Sequence, residues 1–274
     1  MPSDASLTER GAEWAEMMPI LAARAAWRFG PPALGIVLFL AAWQAAHWHH
    51  GAFILPAPWQ TLLAVWATLS SASGWAALGA TFGRVGLALG LSGLIGGGLG
   101  LLAGYLWFVR ATLAPVATIL LGMPATAWVI LTMIWLGPSH GSILFTITIV
   151  IGPILYIGTV DAVLTRDRRL EDMAASFGIS TLARFRTIAL RQILSSLGPV
   201  FGIALALGFK VAIMAELVTN VAGLGAQMAR ARAHMDIDMA LANVALAVAG
   251  LVIIEHLVIR PFQTRLGAWK RGAA

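Results

Sequence analysis

The sequence contains no cysteine and few charged residues. Cysteine is absent from all 274 positions, and Asp, Glu, Lys and Arg together make up 11% of the chain. The first absence excludes disulfides, thiolate chemistry and cysteine-ligated metal sites. The second excludes an ordinary soluble domain, in which about a quarter of the residues are charged. With 59% hydrophobic residues and a mean hydropathy of +0.84, the composition indicates a polytopic membrane protein.

Catalytic signatures are absent as well. The chain has no Gly-x4-Gly-Lys-Ser/Thr loop for nucleotide phosphates and no His-Glu-x-x-His metal motif. The cluster of His47, His49 and His50 has no acidic neighbour, which favours an interfacial role over a metal site. The sequence therefore predicts no enzyme activity and no metal or cofactor on this chain.

Six hydrophobic segments are long enough to span a bilayer, which takes about 20 apolar residues. The predicted spans are approximately Pro32–Trp48, Ala76–Trp107, Ala111–Leu136, Ser142–Leu164, Leu197–Val218 and Met239–Ile259. Small residues four apart in the second span (Gly86 and Gly90, then Gly96, Gly100 and Gly104) favour close helix packing over a phosphate loop.

Basic residues concentrate in alternate connections, which predicts the orientation of the chain. The stretch from His47 to Gly74 has neither Lys nor Arg, and the connection after the fifth span has only Arg230 and Arg232. Both termini are therefore predicted to be cytoplasmic. The basic residues placed on that side are Arg10, Arg24, Arg28, Arg110, Arg166, Arg168, Arg169, Arg184, Arg186, Arg191, Arg260, Arg265, Lys270 and Arg271.

Residues 1–30 precede the first span and are predicted to form a cytoplasmic N-terminal segment. Residues 7–28 alternate apolar and charged positions, which is typical of an amphipathic helix in the membrane interface or of a weakly ordered tail. Glu9, Glu13 and Arg24 interrupt the apolar core that a cleavable signal peptide would need.

The connection after the fourth span is amphipathic rather than simply polar. Its sequence EDMAASFGISTLARFRTIAL, beginning at Glu171, predicts two helical pieces that meet at Gly178. Gly178 is a natural helix end, and Ser180 or Thr181 is expected to cap the second piece. Such short helices cannot span a membrane, so their apolar face is predicted to cover lipid headgroups or a partner protein.

This connection, at about residues 165–196, resembles the EAA loop of importer permeases of the ATP-binding cassette class. Nine residues separate Gly178 from Ile188-Ala189-Leu190, as in that loop, and the acidic start falls on Glu171 or Asp172. Met173 interrupts the Glu-Ala-Ala pattern, and Arg191 stands where proline is usual. The residues assigned to ATPase coupling are Glu171, Asp172, Ala174, Ala175, Phe177, Gly178, Leu182, Arg184, Phe185, Arg186, Ile188 and Leu190.

Four further segments resemble permeases of the nitrate, sulfonate and taurine type. They are LPAPWQTL, TFGRVGLALG, MPATAWVILTMIWLGPSHGS and KVAIMAELVTNVAGLGAQMARA, and they occur in the expected order over most of residues 55–270. The resemblance implies an all-α, type I importer permease over residues 31–274. It also implies a homodimer in the bacterial inner membrane, two separate ATPase subunits that bind ATP and Mg²⁺, and a periplasmic or lipid-anchored substrate-binding protein.

Alternating access would then carry a small, anionic solute such as a sulfonate, taurine or nitrate. The predicted pathway residues are Lys210, Met214, Glu216 and Met123. Lys210 either attracts the solute or pairs elsewhere, whereas Glu216 and Arg84 are expected to pair structurally, because charges inside spans are costly. The alternative, a secondary transporter driven by an ion gradient, is disfavoured because the spans hold few carboxylates and no obvious inverted repeat.

Overall fold

The computed structural model describes residues 30–261, apart from the side chains of residues 258 and 259. Within that range the chain consists of helices joined by short connections and has no strand, which confirms the predicted all-α fold. The predicted amphipathic segment at residues 7–28 and the basic residues after Pro261 lie outside the described residues.

Ten helices follow one another along the described chain. The first, α1, covers residues 30–50. The others are α2 (Pro58–Leu69), α3 (Ala72–Tyr105), α4 (Trp107–Gly122), α5 (Ala125–Leu136), α6 (His140–Leu164), α7 (Arg168–Ser176), α8 (Thr181–Thr219), α9 (Leu224–Ala233) and α10 (Ile237–Ile254, continued by a π-helical turn over Glu255–Ile259).

The chain divides into two units, one ending at Leu62 and the other beginning at Leu63, so the division falls within α2. In the first unit the segment after α1 folds back on that helix. The Trp43 Nε1 donates to the Pro56 carbonyl at 2.9 Å, and the His47 Nδ1 contacts the Leu55 carbonyl at 2.7 Å. His47 therefore fixes the backbone of the LPAP segment.

Four helices of the described chain have the length and composition of membrane spans. They are α3, α6, α8 and the segment Ile237–Leu257, and α4 with α5 would make a fifth if the pair is one span. The sequence predicted six. Residues 30–50 are helical where the first span was expected, but polar Gln44, His47, His49 and His50 lower the hydropathy of that helix.

The third predicted span, Ala111–Leu136, is not one straight helix. It is divided into α4 and α5, whose axes differ by 96°. The bend lies at Met123-Pro124, where Met123 is extended (φ −77°, ψ 131°). A residue before proline avoids helical backbone angles, and proline has no N–H for the helical ladder. The third predicted span is therefore a bent pair of helices, and the bend has this local cause.

The central helix of the second unit is α6, which packs against α3, α4, α5 and α8. Ile143, Ile147, Ile151 and Leu155 repeat at four-residue spacing and are fully buried. On the α3 side, a Cβ at Gly104 would meet Val163, and one at Gly96 or Gly100 would meet the α6 backbone. Those three glycines confirm the predicted close packing, whereas Gly86 and Gly90 meet no atom within 4 Å.

The fifth predicted span is part of a much longer helix. α8 extends over 39 residues from Thr181 to Thr219, so the second amphipathic piece continues without a break into the span. A π-helical turn over Phe185–Ala189 marks the transition, with the Leu190 N–H donating to the Phe185 carbonyl. The sequence predicted the two parts separately, because the charged residues at the start of α8 conceal the continuation of that helix into the apolar span.

Candidate functional site

The turn between α7 and α8 is set by specific backbone bonds. Gly178 has φ +75°, and its N–H donates to the Ala175 carbonyl at 2.9 Å. The Ile179 N–H donates to Ala174 at 3.2 Å, which completes the paired pattern of a glycine-ended helix. The Ser180 hydroxyl then accepts from the Ala183 N–H and caps α8. Both the glycine end and the Ser180 cap confirm the sequence prediction. We call α7, this turn and the start of α8 up to Leu190 the elbow.

Polar contacts hold the elbow against the ends of neighbouring helices. Arg166 donates to the Glu171 carboxylate at 2.7 Å and to the Val163 carbonyl at 2.6 Å, and its guanidinium lies 4.6 Å from the centre of the Tyr105 ring. The Gln192 side chain accepts from the Asp167 N–H at 2.7 Å and donates to the carbonyl of the same residue at 3.3 Å. The elbow is therefore a fixed structure rather than a loose loop.

Large apolar side chains project from this fixed turn. Phe177 is 79% exposed and Leu182 is 67% exposed, and Met173 and Ile179 are exposed beside them. Ordered backbone with apolar side chains exposed around one turn is typical of an interaction site. Phe177 and Leu182, two of the residues assigned to ATPase coupling, thus lie on the outside of the elbow.

The remaining coupling candidates have different surroundings. Phe185 is half-buried and its ring lies 6.3 Å from that of Tyr105, so α3 covers part of this side chain. Ala174 is buried, Glu171 is occupied by Arg166, and Arg184 donates to the Thr181 hydroxyl at 3.1 Å. The exposed members of the set are Asp172, Ala175 and Arg186, and the half-buried ones are Ile188 and Leu190.

A buried ion pair lies at the opposite end of α8. Arg84 of α3 donates to the Glu216 carboxylate, and Glu216 has no exposed surface. The Thr81 hydroxyl donates to the same carboxylate at 2.8 Å, and the Gly225 N–H donates at 3.1 Å. Arg84 also donates to the Ala222 carbonyl and to the Nδ1 of His140. We call Thr81, Arg84, His140, Glu216 and the backbone of residues 222–225 the clasp.

Glycines allow the loop after α8 to reach the clasp. A Cβ at Gly223 would overlap the Glu216 carboxylate, and one at Gly225 would overlap the Ile213 carbonyl. Between them Leu224 is fully buried, and its N–H donates to the Thr81 hydroxyl at 3.0 Å. The Gly-Leu-Gly sequence therefore permits the close approach of backbone to a buried carboxylate.

The clasp joins α3, α6, α8 and α9 at one point. The sequence predicted a structural pairing role for Arg84 and Glu216, and the structure shows the two paired with each other. Their additional partners were missed. His140 follows a helix-starting Ser139, and nothing in its sequence neighbourhood signals a contact with Arg84 across 56 positions.

The four predicted pathway residues have different surroundings. Lys210 and Met214 are exposed and lie four residues apart on α8. Met123 is half-buried at the bend between α4 and α5, and Glu216 is enclosed in the clasp. Lys210 makes no hydrogen bond or ion pair with the described residues. Nor do any three His, Asp or Glu side chains of residues 30–261 lie close enough together to hold a metal ion.

Comparison with known proteins identifies the family of this chain. Residues 96–267, which include the elbow and the Glu216 half of the clasp, match the family of binding-protein-dependent transport system inner membrane components. The chain is also 35% identical, over 247 residues, to the riboflavin transport system permease protein RibX of Chloroflexus aurantiacus. That match covers 86% of this chain and 92% of the relative. The chain therefore belongs to the binding-protein-dependent transport family, as a multi-pass permease of an ATP-binding cassette importer and not an enzyme.

Proposed function

We propose that this permease works as a homodimer bound to two ATPase subunits on its cytoplasmic side, and that each ATPase binds the elbow. A substrate-binding protein would dock on the opposite face, and solute would cross by alternating access as ATP binding moves the elbow. We infer a bacterial inner membrane from the family description, and a cytoplasmic location of both termini from the distribution of basic residues along the sequence.

The exposed apolar surface on a fixed turn supports the elbow as the ATPase contact. Phe177 and Leu182 present large apolar side chains beyond the bonds that hold the turn. A helix that inserts such anchors into a groove is a common mode of protein recognition. Because Arg166, Gln192 and Gly178 fix the backbone, a push on these anchors is transmitted to α6 and α8 rather than absorbed locally.

A charged substitution at the tip tests this contact. We expect Phe177→Asp to remove the ATPase from the purified complex and to abolish ATP-driven uptake, because a carboxylate would be desolvated in an apolar groove. The matched control is Met235→Asp. Met235 is similarly exposed and lies in the turn before α10, far from the elbow in sequence. A Phe177→Asp complex that retains its ATPase and transports normally would refute the proposed contact.

The orientation has its own test, because the chain has no cysteine. A single cysteine at Phe177 should react with a membrane-impermeant thiol reagent only from the cytoplasmic side. A single cysteine at Phe53, an exposed residue after α1, should react only from the other side. Labelling of both from the same side would overturn the proposed topology.

For the solute, riboflavin or a related flavin is the first candidate, because the relative's name specifies riboflavin. Lys210 supports a second candidate, a small anion such as a sulfonate, taurine or nitrate. It is exposed in the apolar part of α8 and makes no ion pair with the described residues. Uptake of each labelled solute by the complete importer in vesicles distinguishes them. A Lys210→Met variant should lose uptake of an anion and keep uptake of riboflavin.

A further inference from the structure

A narrow apolar groove runs between α3 and α8. It comprises two cavities, of about 290 Å³ and about 550 Å³, which share Leu101 as a lining residue. Gly98 and Leu194 lie in the first cavity, and Tyr105 and Phe185 line the second, next to the elbow. Neither cavity is lined by a charged side chain. We call the two together the α3–α8 groove.

Glycine leaves the α3 wall of the groove open. A Cβ at Gly98 would meet no atom within 4 Å, and a Cβ at Gly93 would lie 3.6 Å from the Phe201 ring. From Gly93 to Tyr105 the groove follows α3 for about 18 Å, at about 1.5 Å of rise per residue. That length is close to one half of a hydrocarbon layer about 30 Å thick. The groove therefore extends from mid-span to the end of the span.

Several exposed cations lie on or beside the elbow, and Arg186 is the one flanked on its helix face by groove residues. Leu182, Arg186 and Leu190 are four residues apart, so they share a face of α8. Arg186 is exposed and makes no hydrogen bond or ion pair with the described residues. The nearby Arg166 is paired with Glu171, whereas Arg184 donates only to the Thr181 hydroxyl and the Glu171 carbonyl. A ligand for this groove thus has a long apolar part and a negative charge at one end.

We propose that the α3–α8 groove binds an anionic phospholipid of the surrounding bilayer, with an acyl chain along the groove and the phosphate on Arg186. The first cavity follows α3 for about 12 Å, from Gly93 to Leu101, so its volume corresponds to a width of about 5 Å. A single hydrocarbon chain fits this first cavity, which is too narrow for a helix about 10–12 Å across, whereas the second cavity beside the elbow is wider. Given the proposed topology, Arg186 faces the cytoplasmic leaflet, where anionic lipids attract basic residues.

The test measures lipid that remains on the purified full-length permease after extraction from vesicles of phosphatidylcholine and phosphatidylglycerol. Gly98→Leu places a side chain in the groove, where its Cβ meets no atom within 4 Å. It should lower retained phospholipid on the order of tenfold, because several methylene groups lose their apolar contact. Gly90→Leu is the matched control. Gly90 lies on the same helix with nothing within 4 Å of its Cβ, and it does not line the groove. Arg186→Gln should lower the preference for phosphatidylglycerol about fivefold and leave phosphatidylcholine unchanged.

Three results would overturn the lipid site. One is unchanged phospholipid on a folded Gly98→Leu permease. Another is loss of the dimer in that variant with lipid retained, which would assign the groove to a second copy of the chain. The third is an equal loss of both lipids in Arg186→Gln. If Gly98→Leu does not fold, Gly98→Ala should give a smaller reduction in the same direction, and no reduction counts against the site. The Phe177→Asp permease should retain its lipid in full. The measurements therefore distinguish a failure of the proposed lipid site from a failure of the proposed ATPase contact.

Discussion

Two Arg–Glu pairs lie near opposite ends of α8, and their surroundings differ. Arg84 and Glu216 are buried, and the carboxylate receives further hydrogen bonds from Thr81 and Gly225. At the elbow, the Arg166 and Glu171 side chains are 8% and 21% exposed, and among the described residues the Glu171 carboxylate accepts a hydrogen bond from Arg166. The first pair is fully enclosed, whereas the second lies beside a turn that presents Phe177 to its surroundings.

This difference in burial indicates two roles for ion pairs in the same permease. A buried pair must satisfy every polar atom within the protein, so it fixes one arrangement of the helices around it. A partly exposed pair is screened by water and adds little stability, so it positions a surface without determining the fold. The clasp is therefore expected to hold the helix bundle together. The elbow is expected to present a contact surface that is free to be displaced as a unit.

The largest effect is expected at the clasp. Glu216→Ala leaves the Arg84 guanidinium buried without its counter-charge, which should lower the free energy of unfolding by about 3–5 kcal/mol. Denaturant unfolding of the detergent-solubilised permease measures this change in the free energy of unfolding. Glu216→Gln is the control, since it retains an acceptor for Thr81 and should lose less. Wild-type stability in Glu216→Ala would show that the clasp does not hold these helices.

An intermediate effect is expected at the turn of the elbow. Proline is fixed near φ −65° and has no N–H, so Gly178→Pro loses both the φ of +75° and the bond to Ala175. The elbow should be destabilised by more than ~1 kcal/mol. ATP-driven uptake should be lost while membrane insertion is retained. Gly178→Ala keeps the N–H and should only reduce uptake. Normal uptake by the proline variant would contradict the assignment of the elbow to coupling.

The smallest effect is expected for the partly exposed pair at the elbow. Glu171→Gln should lower the free energy of unfolding by less than ~1 kcal/mol, because the pair is partly solvated. The difference from wild type should shrink further in high salt. Arg166→Gln is the informative companion, since it also loses the Val163 carbonyl and the Tyr105 ring and should cost more. If substitution of Glu171 lowered the free energy of unfolding as much as substitution of Glu216, the two ends of α8 would no longer differ in this respect.

The elbow was largely predictable because its signals are local. Gly178, Ser180 and the apolar spacing around them determine where α7 ends and α8 begins, and the structure agrees with each. The division of the third span at Pro124 also had a local signal, but the apolar residues on both sides concealed it. The mean hydropathy of a window depends on which residues it contains and not on the direction of the helix axis. The 96° bend between α4 and α5 therefore leaves the mean hydropathy unchanged.

The clasp was only partly predictable because its contacts are distant in sequence. Charge inside apolar helices identified Arg84 and Glu216, since such groups need partners. Their pairing across 132 positions depends on how α3 and α8 pack, and the roles of His140 and of the Leu224 N–H depend on the loops that follow those helices. Packing of separate helices is not encoded in any short window.

The unbroken course of α8 gives the permease a lever. About 52 Å of helix, at about 1.5 Å per residue, separates Thr181 in the elbow from Glu216 in the clasp. If the clasp acts as the fulcrum, a tilt of about 5° would displace the elbow by roughly 5 Å, which is close to one helical turn. Small rotations at one membrane face would then correspond to strokes of several ångströms at the other, without any helix having to unwind.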